Sequence, residues 1–172
     1  MKRVLAILVE DRPGVLTRVS GLFSRRGYNI QNIAVGRTIE PGISRMTVTL
    51  EADRLTVEQI VKQLNKLVNV LKVNDLTDEP SVGRELMLVK VKAEPERRSD
   101  IQQMVTTFRA KIIDVSPNSM IVEVTGDESK LQAFILMMQE FGIKEIACTG
   151  NVSLLRGSRT TRTVEESWKV GK

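Results

Sequence analysis

The chain has 172 residues and no histidine. That absence removes the side chain most used as a general base near neutral pH, the base of Ser-His and Cys-His nucleophile pairs, and the commonest metal ligand. Catalysis is made less expected, not impossible. The only cysteine, Cys148, can close no internal disulfide and can build no cysteine-rich zinc site; its expected role is that of a small buried apolar side chain in a reducing compartment. Aromatic residues make up 3% of the chain, too few to supply stacking platforms for single-stranded nucleic acid, and no helix-turn-helix or zinc-finger spacing is present. Apolar runs are only a few residues long, far short of a membrane-spanning helix, and the amino-terminal segment lacks the small-residue cleavage site of a signal peptide. The expectation is a cytoplasmic protein with no membrane partner, no metal and no cofactor.

The charge is mild. Twenty-six Lys and Arg against 21 Asp and Glu give +5, spread over surface faces apart from a basic concentration in the tail, residues 158–172, expected to be flexible. Glu165 and Glu166 dilute that tail. A nucleic-acid binder acting through it is the alternative reading, and it lacks an element to read bases.

The same plan occurs twice. RVLAILVE at 3–10 suits a strand buried on both faces. Val15, Leu16, Val19, Leu22 and Phe23 then recur at helical spacing, with Pro13 suited to the first turn and Gly27 to the carboxyl-terminal cap. NIQNIAVGRTI and ISRMTVTLEA, parted by Glu40, Pro41 and Gly42, read as a hairpin. TVEQIVKQLNKLV places Val57, Ile60, Val61, Leu64, Leu67 and Val68 on one helical face, with Thr56 and Gln59 as a capping box, and VLKVNDLT closes the unit as a strand. After Pro80 the order restarts: ELMLVKVKA, a helix with Ile101, Met104, Val105 and Phe108 in register behind a Ser99/Gln102 capping box, a hairpin turned at Pro117 and Asn118, a helix ending at Gly142, and a final strand IKEIACTGNVSL. The fold class is therefore α+β, two tandem ferredoxin-like β-α-β-β-α-β modules. The expected domains are 1–78 and 81–157. An open sheet face and two edge strands per module call for a partner, and pairing of two copies through the second strand, around a two-fold axis, is the economical solution.

DRPGVL at 11–16 is then the turn from the first strand into the first helix, where backbone amides lack intrahelical acceptors and favour an anion. Gly14 permits close approach to the backbone, Asp11 can accept from an ammonium group, and Asn29 carries both a donor and an acceptor. A carboxylate and an ammonium on one carbon describe a free amino acid. The same residues also suit a plain role, in which Asp11 caps the helix, Gly14 relieves crowding and Asn29 turns the chain. An acylphosphatase-like enzyme is disfavoured, because the turn has an acid and a proline where phosphate chemistry needs an arginine.

EDRPGVLTRVSGLFSRRGYNIQNIAVG together with SRMTVTL resembles the ACT-type amino-terminal domain of the acetolactate synthase regulatory small subunits. The resemblance runs on through QLNKLVNVLKVNDLT, RELMLVKVKA, AKIIDVSP, IVEVTG and LQAFI, covering about residues 2–157. It implies a non-catalytic subunit that forms homodimers through its ACT domains, activates a large thiamine-diphosphate catalytic subunit and confers feedback inhibition by valine in branched-chain amino acid biosynthesis. It implies too that residues 1–78 bind the effector and dimerise while 81–157 contact the partner. By position it implies that Pro13, Gly14, Val15 and Leu16 shape the valine pocket at the helix start beside Asp11, and that Asn29 and Ile30 complete it from the facing subunit. Asp11 stands where many relatives have asparagine, and Cys148 where they commonly have arginine.

Overall fold

The computed structural model describes residues 1–161. The chain forms two compact units, one of Met1–Val82 together with a segment beginning at Ser153, the other of Gly83–Val152.

In the first unit, β1 (Lys2–Glu10), α1 (Val15–Arg25), β2 (Ile30–Arg37), β3 (Ile43–Glu51), α2 (Arg54–Leu64) and β4 (Val70–Asp75) follow in order. The sheet order β2-β3-β1-β4, all antiparallel, is that of a ferredoxin-like sandwich. Leu5, Ile7 and Val9 of β1 and Met46, Val48 and Leu50 of β3 alternate onto one face, where Val19 and Phe23 of α1 and Ile60 and Leu64 of α2 close the core. Phe23 is wholly buried. Its truncation to alanine would cost about 3–5 kcal/mol through lost transfer energy and an unfilled cavity.

The opposite face is not bare. Ala6, Leu8, Thr47 and Thr49 are all buried, and Arg45 reaches from β3 to the returning segment, donating to the Ser153 carbonyl at 2.7 Å and the Thr161 hydroxyl at 2.9 Å.

The second unit repeats the plan with β5 (Ser81–Lys92), α3 (Arg98–Thr107), β6 (Lys111–Ser116), β7 (Ser119–Gly126), α4 (Glu128–Gln139) and β8 (Ile143–Cys148), in the order β6-β7-β5-β8. Met87, Val89, Val122, Ile101 and Phe134 build its core. The final apolar run is not one strand: it breaks after Cys148, passes Gly150 at φ 84°, and resumes as β9 (Val152–Leu155) paired with β5. Most of the basic tail, residues 162–172, lies outside the described residues.

Several local expectations are corrected. The cap of α2 is Asp53, whose carboxylate accepts from the Thr56 amide at 2.7 Å, so the helix begins a turn before a Thr56/Gln59 box would allow. It also ends at Leu64, which leaves Val68 89% exposed. Ser99 and Gln102 form no box either, because a 3₁₀ turn at Pro95–Arg97 already leads into α3. Cys148 is exposed, not buried. Partial burial, then the neighbouring Glu85 carboxylate, push its thiol pKa up, away from the nucleophilic thiolate.

Candidate functional site

The turn between β1 and α1 is held from both sides. The Asp11 amide donates to the Gly42 carbonyl at 2.7 Å, fastening it to the β2–β3 hairpin. Behind it, Glu10 and Asn69 exchange bonds: the Glu10 amide donates to the Asn69 carbonyl at 2.9 Å and the Asn69 amide group to the Glu10 carboxylate at 2.7 Å. Arg18, one helical turn beyond Gly14, donates to the Asn69 side chain at 2.5 Å.

Gly14 is the amino-terminal cap of α1, with φ 81° and ψ −6°. An added Cβ would meet nothing within 4 Å, so glycine is there for its left-handed backbone and not to relieve crowding. Pro13 consequently lies just outside the helix. Asp11 does not cap it, as no side chain accepts from the first turn. The Val15 amide donates to Arg12 at 3.3 Å and that of Arg18 to Gly14 at 3.0 Å, leaving the Leu16 and Thr17 amides without an acceptor among the described residues. Two donors at a helix start, beside exposed backbone, make a seat for one carboxylate.

The Asp11 carboxylate stands at the lip of this seat, 3.7 Å from the Nε of Arg37. Leu16 is half exposed there, whereas the Val15 side chain is sunk in the core and can offer only its backbone. Asn29 and Ile30 are not brought to the turn. Ile30 pairs with Leu50 at one end of the sheet, while Arg37 pairs with Ser44, the neighbour of Val9, at the other. The length of β2 separates them, roughly 20–25 Å at about 3.3 Å per residue.

Arg37, Arg18, Asn69 and Glu10 escape a reading of the sequence. Only the Gly14 to Arg18 spacing carries a local signal; the others meet through strand register. Among the described residues no group of three or more His, Cys, Asp or Glu side chains could hold a metal, and no helix is long and apolar enough to cross a membrane.

The second unit lacks this seat. The 3₁₀ turn occupies the corresponding connection, with the Arg97 amide donating to Glu94 at 2.9 Å.

Comparison with known proteins gives each unit a family model of its own. Residues 5–72 match the model of the AHAS small subunit-like ACT domain, and residues 84–157 that of the small subunit of acetolactate synthase. The chain is 52% identical to an acetolactate synthase small subunit of Mycobacterium bovis, over 94% of this chain and 96% of that one, and 50% identical to one from Mycolicibacterium smegmatis, over 90% and 91%. The crystal structure of the acetolactate synthase small subunit from Thermotoga maritima superposes with a TM-score of 0.85 at 42% identity, covering 92% of this chain and 99% of that one. The two ferredoxin-like modules, the ACT domain and the carboxyl-terminal model matched in tandem place this chain in the family of acetolactate synthase small subunits, the regulatory partners of a large catalytic subunit.

Proposed function

We propose that this protein, in the cytoplasm, activates its large catalytic subunit and makes it answer to valine, bound at the α1 turn of a homodimer. The observation that carries this reading is the seat itself. The Leu16 and Thr17 amides face the effector's carboxylate, and Asp11 accepts from its ammonium group in place of the weak, exposed ion pair with Arg37.

The strand register supports the rest of this reading. β2 is a sheet edge, and two copies paired antiparallel about its middle set Ile30 of one opposite Arg37 of the other. Asn29 of one subunit then reaches the Asp11–Gly14 turn of its mate. A site shared in this way responds to the arrangement of subunits, so valine shifts the equilibrium between arrangements by its difference in affinity for them. An apolar wall discriminates by about 1–3 kcal/mol per methylene, and selectivity against leucine or alanine is therefore graded. Residues 1–78 carry the effector and dimer surface, and 81–157 contact or restrain the large subunit.

Reconstitution tests the proposal. The purified chain should form no acetolactate from pyruvate, should raise the rate of its cognate thiamine-diphosphate subunit, and should impose valine inhibition. Turnover by the chain alone, or an activated complex indifferent to valine, would remove it.

A further inference from the structure

On the sheet face opposite α1 lies a groove of about 430 Å³, within the first unit, between the β2–β3 hairpin and the returning segment. Its size falls in the range of small-molecule sites, roughly 300–1,000 Å³. Leu8, Ile39, Ile43 and Leu154 give it apolar walls. Ile39 and Leu154 are 63% and 62% exposed, apolar surface that the described residues leave uncovered.

Arg45 lies in this wall. It pairs across the sheet with Leu8, so it faces away from the core. A guanidinium has five N–H donors. Among the described residues two of Arg45's are engaged, by Ser153 and Thr161, both neutral acceptors. Burial lowers its pKa, and no charged group among the described residues offsets that loss of hydration. Glu40, also at the groove, does not offset the lowering of the Arg45 pKa, and Arg37 is turned to Asp11. A half-buried cation without a carboxylate is a costly arrangement, and an anion arriving with its own apolar body offsets the cost.

We propose that this groove binds a short branched aliphatic carboxylate, its charge on Arg45 and its methyl groups against Ile39 and Leu154. The site is separate from the seat at Gly14 and does not depend on valine binding there. Two sources share the chemistry: a branched-chain 2-oxo acid and the amino acid itself.

Calorimetric titration of the full-length wild-type dimer with α-ketoisovalerate, isobutyrate and valine tests the proposal, beside Arg45→Gln, Leu154→Glu and Gly14→Asp. Leu154 is exposed, so Leu154→Glu tests the groove even if Arg45→Gln loosens the returning segment. At least one of the three compounds should bind wild type and Gly14→Asp alike, and both groove variants should weaken it about tenfold or more. The response of α-ketoisovalerate against valine then tells the two sources apart. Failure of all three to bind, affinity unchanged in both groove variants, or loss of all binding in Gly14→Asp would overturn the proposal.

Discussion

The Nε of Arg37 stands 3.7 Å from Oδ2 of Asp11, joining the last residue of β2 to the lip of the α1 turn. In the proposed dimer, the edge that would meet a second copy and the proposed seat for an anion are thus neighbours. A shift of β2 would move a cation toward or away from the carboxylate that, in the proposed site, releases it to an incoming ammonium.

Gly14→Asp should abolish valine inhibition and leave activation largely intact. Aspartate tolerates the left-handed backbone better than most residues, at roughly 1–2 kcal/mol, and nothing blocks its Cβ. Its charge against the effector's carboxylate in a partly desolvated seat costs several kcal/mol more, about a thousandfold in affinity. Gly14→Ala pays the backbone strain without the charge and should keep measurable inhibition. Calorimetry with inhibition curves checks both, and unchanged binding in Gly14→Asp would move the effector elsewhere.

Mixed dimers report whether the site is shared. Asn29→Ala alone should weaken valine by about 0.5–1.5 kcal/mol per hydrogen bond lost. A dimer of one Gly14→Asp chain and one Asn29→Ala chain keeps one intact seat if the two residues come from different subunits, and none if they act within a chain. Half the valine stoichiometry at wild-type affinity is the expected titration result.

Truncation after Val152 should destabilise the first unit although it removes none of β1–β4. Arg45 loses its acceptors on Ser153 and Thr161, and Glu79 loses the guanidinium of Arg159. A lower midpoint for the first unit in thermal unfolding is the outcome to look for.

Acid should weaken both units in parallel. Asp53 and Asp127 cap α2 and α4 with nearly identical geometry, and the amides of Thr56 and Lys130 hold their carboxyls below the usual range. Their folded pKa is depressed, so the caps contribute fully above the unfolded value, near 3.9, and that contribution fades as pH falls through the folded one. Asn replacements should flatten the fall of the thermal midpoint below about pH 4.

Cys148 should react slowly with thiol reagents near neutral pH despite its exposure. Glu85→Gln removes the second cause of its raised pKa, burial being the first, and should speed alkylation. A rate independent of Glu85 would point to burial alone.

Periodicity located every helix and most strands because Val19, Phe23, Ile60 and Phe134 repeat at the spacing that burial demands. Boundaries were harder: Thr56 with Gln59 and Ser99 with Gln102 have the composition of a capping box, but Asp53 and the Pro95 turn compete for the same helix starts and win. Gly14 and Asp11 were legible as part of a helix start. Arg37, Asn69 and Arg45 were not, since what each touches is fixed by strand register or by a segment far along the chain. The burial of Thr47 and Thr49 was hidden for a related reason, as alternation cannot say whether the second face of a strand meets water.

The return of the chain at Ser153 has a consequence during synthesis. β1–β4 leave the ribosome early, yet the acceptors that steady Arg45 are made only after the whole second unit, several seconds later at about 5–20 residues per second. Through that interval the groove face stands open on the nascent chain. Premature termination anywhere in 83–152 thus yields a first unit with its sheet formed and its closing segment absent, a species for the quality-control machinery to find.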